Sequence, residues 1–280
     1  MTQAATTHET PSARDKRAFS RDELPKLGQT FAEEGYLVFR DVVPKDKLAH
    51  LRRRILEEFE RLKQAGSVFE GGGGMMAGHL NSCPGEESRF AYAALEEAGI
   101  LELVKALDAK AAAGPLRVGC NLNLPKSVAQ NYHIDGYFGE PFIVVNVAVV
   151  DTDLVNGAIE IAPGTHKRPY KYWQFAVDGL RNPRMRVPMK QGDVLVRVSS
   201  LWHRGMPNRA SIARPMLGFT FGEKGMECDD PFGIDGGGIT FTPNRFKTDL
   251  VGRLRERSYV VAPFAHHAVR FARSLLANKG

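Results

Sequence analysis

The 280-residue chain is poor in cysteine and has no long apolar run. Its three cysteines, Cys83, Cys120 and Cys228, are odd in number and widely separated, which argues against a disulfide framework and favours a reducing cytoplasm. No apolar stretch is long enough to cross a bilayer, so we expect no membrane partner. The first 16 residues are polar and lack the apolar core of a signal peptide, and we expect residues 1–17 to form a disordered tail.

A strong excess of one charge sign is also missing. The formal net charge is +6, and the basic residues are dispersed apart from the triplet Arg52, Arg53 and Arg54. No nucleic-acid recognition motif accompanies them, so we expect no nucleic-acid partner. The small excess of positive charge favours an anionic substrate or co-substrate. An apolar content of 43% is ample for a buried core.

Helical signals occupy the first third of the chain. Residues 20–23 read Ser-Arg-Asp-Glu, a capping box that predicts a helix, and Gly35 ends it. Apolar residues at helical spacing predict two more helices, over residues 45–64 and 96–108.

The middle of the chain contains short β-branched runs separated by turn residues. The pair Asn156-Gly157 between apolar runs is a hairpin signal. Strands are predicted over residues 116–123, 142–150, 158–161, 194–198 and 214–221. Short strands at this spacing predict a mainly β fold with flanking helices, a double-stranded β-helix or jelly roll, with its core at residues 115–222.

The last part of the chain predicts a loop and a helix. Residues 222–248 are rich in glycine, aspartate and proline and read as a loop, whereas residues 262–278 form a C-terminal helix whose apolar stripe includes Phe264 and Leu275. Because no linker and no internal repeat is visible, we expect residues 18–280 to form a single domain.

Metal-ligating residue types occur at informative positions. His133 and Asp135 are two apart, so in an extended segment their side chains point the same way. A jelly roll can bring His203 from a distant strand to the same point. Two imidazoles and one carboxylate are the ligand set of non-haem Fe(II) oxygenases, which keeps positions open for oxygen and a co-substrate. A hydrogen-bonded core cluster is the alternative.

Three segments resemble a known family. Residues 156–167, with Asn-Gly followed by Pro-Gly-Thr-His, and residues 203–214, from His203 to Arg214, resemble motifs of the phytanoyl-CoA dioxygenase family. Residues 31–40 are similar to its N-terminal helix, glycine and strand. The resemblance implies a double-stranded β-helix, Fe(II) held by His133, Asp135 and His203, and 2-oxoglutarate and O2 as co-substrates. One departure is Thr165, where the family usually has serine.

The resemblance also implies a site for 2-oxoglutarate. Its distal carboxylate would bind Arg214, whose guanidinium fork matches a carboxylate. We expect Asn123 and Gln130 to contact the co-substrate, with backbone hydrogen bonding as the alternative for Gln130. His166 lies in a predicted turn and either lines the mouth of the site or is structural.

The glycine-rich segment Gly71–Asn81 matches no pattern of that family. Four glycines give a mobile backbone, which predicts either a lid over the pocket or a disordered surface insertion. In the first case His79 and Asn81 are substrate contacts.

The function expected from these features is an Fe(II)/2-oxoglutarate-dependent dioxygenase that hydroxylates or oxidatively cyclises a small molecule. A natural-product or oligosaccharide-antibiotic (orthosomycin-type) intermediate is one expected substrate, and an acyl-CoA or an amino acid is another. A non-redox, metal-dependent jelly-roll hydrolase or isomerase and an inactive metal-binding protein stay open as alternatives.

Overall fold

The computed structural model describes residues 7–8, 17–67, 74–182, 184–225, 228–242 and 250–276. Its helices are α1 (Leu24–Glu34), α2 (Lys45–Gln64), α3 (Gly74–Ala77), α4 (Arg89–Glu97), α5 (Ile100–Leu107), α6 (Ala109–Ala113), α7 (Tyr172–Asp178), α8 (Leu250–Val261) and α9 (Pro263–Leu276). Its strands are β1 (Thr7–His8), β2 (Tyr36–Phe39), β3 (His79–Cys83), β4 (Leu116–Asn123), β5 (Ile143–Ala148), β6 (Glu160–Ile161), β7 (Met185–Arg186), β8 (Val194–Val198), β9 (His203–Arg204), β10 (Arg214–Phe221) and β11 (Thr240–Phe241).

Two sheets build the β core. The large sheet has the order β1-β2-β8-β5-β10-β4-β3-β11, and the small sheet has the order β7-β6-β9. The central strands β8, β5, β10 and β4 pair antiparallel. The predicted mainly β jelly roll with flanking helices is confirmed.

The N-terminal helices cover one face of the large sheet. The capping box at Ser20 and Glu23 forms, and Gly35 ends α1 in the left-handed conformation with φ 85°. Leu27 and Phe31 of α1 are buried, as are Leu48, Leu51, Ile55 and Phe59 of α2. Because these residues join the buried side chains of β2, β5 and β8 in one apolar core, the opposite face of the sheet is left for the site.

Three element predictions need correction. The helix expected over residues 96–108 is two helices, α4 and α5, because Gly99 adopts φ 79° between them. The turn at Asn156-Gly157 forms, but it joins β5 of the large sheet to β6 of the small sheet and therefore connects no hairpin. The loop expected over residues 222–248 contains β11, which pairs with β3.

The helix expected over residues 262–278 is present as α9, and a further helix, α8, precedes it. Two residues of the apolar stripe of α9 face outward: Phe264 is 87% and Leu275 53% exposed. The contacts with α7 are polar instead. The Tyr172 hydroxyl bonds His267 Nδ1 at 3.0 Å, and the Trp173 amide donates to Ser274 Oγ at 3.0 Å.

Among the described residues, no helix is both long and apolar enough to span a membrane. Most of the expected N-terminal tail, residues 1–17, lies outside the described residues, although Thr7–His8 pairs with β2. Its disorder stays a prediction, as does the single domain over residues 18–280.

Candidate active site

Two histidines meet where the small sheet approaches the segment after β4. His133 and His203 form an antiparallel bridge, each amide donating to the other's carbonyl at 3.0 Å. Their ring centroids are 4.4 Å apart. The Asp135 amide donates to the Ser199 carbonyl at 2.9 Å, which fixes the carboxylate beside both rings. The expected convergence is therefore present, although His133 lies in an isolated bridge and not in a regular strand.

The ligand atoms of the three residues face one another. His133 Nδ1 donates to the Asn131 carbonyl at 2.7 Å, and His203 Nδ1 donates to the Leu201 carbonyl at 2.9 Å. Since a carbonyl only accepts, Nδ1 carries a proton in both rings, and Nε2 is the nitrogen left to bind a metal. Each Nε2 lies 3.6 Å from an Asp135 oxygen. The three ligand atoms lie within 4.8 Å of one another, so one metal ion can contact all of them.

Burial and the charge of Arg197 hold His203 and Asp135 in the protonation states that a metal needs. Burial, and then the charge of Arg197, lower the pKa of His203 well below its usual value, so the ring is neutral. Burial alone would raise the pKa of Asp135, but the positive charge of Arg197 and its hydrogen bond to the carboxylate oppose burial, and the pKa is lowered. Neutral imidazole and ionised carboxylate are the forms that bind metal.

Arg197 was missed in the sequence. Its Nη2 donates to Asp135 Oδ2 at 2.6 Å, and its Nε donates to Asn146 Oδ1 at 3.2 Å. Arg197 and Asn146 are the only polar residues of β8 and β5, respectively. A lone polar residue inside a β-branched strand was the available signal, because such a residue is costly unless it has a partner.

A second ion pair supports the backbone beside the histidines. Arg204 donates from Nη2 and Nε to Glu160 Oε1 at 2.6 and 2.8 Å, and Glu160 also accepts from the Tyr132 hydroxyl. The Arg204 guanidinium lies 4.1 Å from the centroid of the Tyr132 ring. These contacts connect the residues that directly precede His133 and follow His203.

Arg214 begins β10 and is 3% exposed. Burial lowers its pKa from 12.5 to about 10, and its Nε is buried without a partner. No carboxylate of the described residues pairs with it. A buried cation of this kind is unfavourable until an anion neutralises it. Because Arg214 lines the same cavity as the three metal-ligating residues, that anion can sit beside a bound metal.

Two connected cavities reach this centre. The smaller, about 240 Å³, is lined by His133, Asp135, His203 and Arg214. The larger, about 650 Å³, extends across the exposed face of the large sheet. Six residues line both, namely Asn81, Asn121, Asp135, Asn146, Arg197 and Met216.

The other predicted contacts fall into two groups. Gln130 and Asn81 line the smaller cavity, and Gln130 Oε1 accepts from the Gly205 amide at 2.7 Å. Asn123 is fully buried with its amide on the Met206 carbonyl, at 2.9 Å, and lines neither of these two cavities. His166 packs against Gly35 and bonds the Ala32 carbonyl at 3.2 Å.

His79 is also interior. It has no exposed surface, and its Nε2 donates to the Val128 carbonyl at 2.7 Å. The segment predicted to be a lid is partly regular structure: α3 covers Gly74–Ala77, and His79–Cys83 is a strand paired with β4. Residues 71–73 lie outside the described residues, so the lid itself stays a prediction.

Comparison with known families decides the class of this site. The family model described as phytanoyl-CoA dioxygenase (PhyH) matches residues 31–216, which contain all three metal-ligating residues and Arg214. The chain belongs to the phytanoyl-CoA dioxygenase family. Membership confirms that the chain is an enzyme of the dioxygenase class that uses iron, with 2-oxoglutarate as co-substrate.

The solved structures with a similar fold include those of SnoN, SnoK and AviO1. The non-heme alpha ketoglutarate dependent epimerase SnoN from nogalamycin biosynthesis is 21% identical, with a TM-score of 0.51 and coverage of 82% of this chain and 90% of that one. The carbocyclase SnoK from the same biosynthesis is 17% identical, with a TM-score of 0.54 and coverage of 86% and 93%. AviO1 from Streptomyces viridochromogenes Tue57 is 19% identical, with a TM-score of 0.54 and coverage of 76% and 100%.

Proposed function

We propose that this phytanoyl-CoA dioxygenase family member holds Fe(II) with His133, Asp135 and His203, binds 2-oxoglutarate with Arg214, and oxidises a C–H bond of a small-molecule substrate. One observation carries the proposal. Two imidazoles and an ionised carboxylate share one small cavity with a buried, unpaired arginine. The metal-ligating residues alone fit many metals, whereas the adjacent unpaired cation specifies an anionic co-ligand.

Each residue has a role that follows from its contacts. His133 and His203 present Nε2 because their Nδ1 protons are held by backbone carbonyls. Arg197 keeps Asp135 ionised and fixes one of its oxygens. Arg214 neutralises and orients the distal carboxylate of 2-oxoglutarate by charge-assisted hydrogen bonds. Iron bound there supplies the oxidising power when 2-oxoglutarate and O2 are present.

We further propose that the substrate is an intermediate of natural-product biosynthesis, which enters through the larger cavity. SnoN and SnoK are named for nogalamycin biosynthesis, and their chemistry is epimerisation and carbocycle formation. Oxidative ring formation is therefore within the reach of this fold, beside the hydroxylation expected from the sequence. An acyl-CoA or amino-acid substrate is the alternative within the family. The three unpaired thiols are consistent with a cytoplasmic enzyme.

A metal-dependent hydrolase or isomerase is the competing function. Such an enzyme needs the metal ligands but not a buried arginine beside them. Succinate formation from 2-oxoglutarate distinguishes the two, because only the dioxygenase decarboxylates this co-substrate.

The experiment measures succinate with Fe(II), 2-oxoglutarate and O2 against a panel of glycosides, acyl thioesters and amino acids. His203→Ala should lose succinate formation. His166→Gln is the matched control, since this histidine contacts the Ala32 carbonyl away from both cavities. Succinate formation that persists in His203→Ala, or fails in the wild type across the panel, would count against the proposal.

A further inference from the structure

We propose that the larger cavity binds a neutral, polyhydroxylated ring, such as a sugar unit, seated on a bare patch of sheet formed by Gly119 and Gly218. The inference deepens the proposed function, because it rests on that function for the position of the oxidising metal. It adds the chemical class of the substrate and the residues that select it.

The bare patch lies in the middle of the large sheet. Gly119 of β4 and Gly218 of β10 are directly opposite each other in the antiparallel register, and both line the larger cavity. Neither has a positive φ, so no turn requires glycine here. A Cβ at Gly119 would meet only the Ser82 carbonyl, at 3.8 Å, which is ordinary contact. The fold itself therefore has room for a side chain at position 119.

Glycine inside a strand weakens the strand relative to alanine, because it loses more backbone entropy on folding. Where packing does not require it, such a glycine marks a place at which a ligand approaches the backbone. Two opposed glycines leave the backbone of both strands open to the cavity. A flat ring can pack against this surface, whereas side chains at these positions would hold it away.

Three carboxamides surround the patch. Asn121 is two residues beyond Gly119 on the same face of β4, and Asn81 of β3 pairs with Asn121. Asn146 of β5 pairs with Gly218 on the other side. All three line the larger cavity, so the polar groups border the patch on both sides.

These groups have hydrogen-bonding capacity to spare. Asn146 Oδ1 accepts from Arg197, but the Nδ2 group of Asn146 has no protein partner among the described residues. Asn121 Nδ2 makes only long contacts, of 3.3 and 3.4 Å. Nη1 of Arg197 is buried without a partner. A carboxamide offers donors and an acceptor side by side, and a hydroxyl group offers both as well.

The charges of the cavity favour a neutral substrate. Arg197 is paired with Asp135 at the metal end, and Arg117 lies 3.7 Å from Glu223 at the other end. A fatty acyl chain would cover the carboxamides without offering them hydrogen-bond partners, which is unfavourable. The volume of about 650 Å³ is within the usual range for small-molecule sites.

The patch also places its occupant beside the metal centre. Arg197 bonds both Asn146, at the edge of the patch, and Asp135, a metal-ligating residue. A ring held by Asn146 therefore presents its C–H bonds to the smaller cavity. Because Asn146 also accepts from Arg197, glycoside affinities of the Asn146 variant are compared at equal bound zinc.

The test measures binding without turnover. The full chain is loaded with Zn(II) and 2-oxoglutarate, and ligand-observed NMR follows methyl glucoside, methyl rhamnoside, maltose, laurate and a lauroyl thioester. The variants are Gly119→Leu, which fills the patch, and Asn146→Leu, which removes the carboxamide. Gly28→Leu is the matched control, because a Cβ at Gly28 of α1 has no neighbour within 4 Å.

We expect at least one glycoside to bind the wild type and Gly28→Leu, with affinity at least tenfold weaker in Gly119→Leu and in Asn146→Leu. Gly119→Ala should give an intermediate loss and keeps the test valid if the leucine variant does not fold. Binding of laurate in place of glycosides, unchanged glycoside binding in the variants, or no binding by any glycoside would overturn the inference. The increase in Tm caused by 2-oxoglutarate is recorded separately, so its absence in the wild type would reject the proposed function and not the substrate class.

Discussion

Replacement of Arg214 by methionine should separate protein stability from co-substrate binding. The side chain is 3% exposed, and burial lowers its pKa from 12.5 to about 10. At 1.36 kcal/mol per pKa unit, a shift of this size means that folding disfavours the charged form of Arg214 by about 3 kcal/mol. Since the folded-state pKa is the lower one, the cost is fully present below pH 10 and disappears only as the pH rises above it.

Methionine has similar length and no charge, so Arg214→Met should leave the ligand-free protein as stable as the wild type or more stable by up to about 3 kcal/mol. The wild type should gain about 2.7 kcal/mol when 2-oxoglutarate is present at 100 times its Kd, and the variant should gain almost nothing at that concentration. Urea unfolding of the Zn(II)-loaded protein, with and without 2-oxoglutarate at pH 7.5, measures both quantities.

Arg117→Met is the matched control, because the side chain of Arg117 is 50% exposed and pairs with Glu223 away from the metal-ligating residues. It should retain the stabilisation by 2-oxoglutarate. The reasoning fails if Arg214→Met unfolds several kcal/mol more easily without ligand and yet keeps the full gain with 2-oxoglutarate.

Three other predictions follow from the same site. Alanine at His133, Asp135 or His203 should reduce bound Fe(II) strongly in equilibrium dialysis, whereas His166→Gln should not; full iron occupancy in two of the three alanine variants would refute the assignment. Burial lowers the pKa of His79 from 6.5 to about 4. The free energy of unfolding is therefore unaffected by this group above pH 6.5 and falls as the pH drops toward 4, because the unfolded chain binds the proton first. Between pH 7.5 and pH 5, the free energy of unfolding measured in urea should therefore fall further in the wild type than in His79→Gln, by up to about 2 kcal/mol. Equal losses in the two proteins would argue against His79 as the origin of the pH dependence. Halogenases resembling this family have a small residue in place of the metal-binding carboxylate, which leaves room for chloride, whereas this chain retains Asp135. Mass spectrometry of the product made in chloride buffer should therefore show a gain of one oxygen or a loss of two hydrogens. A chlorinated product would contradict this.

The sequence predicted the elements whose signals are local. The strand Arg214–Phe221 and the helix Lys45–Gln64 have the predicted bounds because each combines a clear apolar period with a terminal signal. The metal-ligating residues were accessible for a similar reason, since two of them are only two residues apart and the third lies in a family motif.

Predictions that depend on tertiary contacts were less complete. Arg197 was missed because its importance comes from Asp135, which lies 62 residues away in the chain. His79 was expected at the substrate, yet it is buried with Nε2 on the Val128 carbonyl and lines neither cavity, although Asn81 on the same face of β3 lines both. The Asn156-Gly157 turn has hairpin chemistry, but the alternation between the two sheets decides where the chain goes next. The stripe of α9 shows that helical period alone does not reveal what covers an apolar face.

The most direct test of the central claim is the visible absorption of the anaerobic protein during titration with Fe(II) and 2-oxoglutarate. A charge-transfer band should develop only when both are present, because it requires 2-oxoglutarate to bind the iron held by His133, Asp135 and His203. His203→Ala should lack the band, and His166→Gln should retain it. No band in the wild type, or an equal band in His203→Ala, would contradict the assignment of this site.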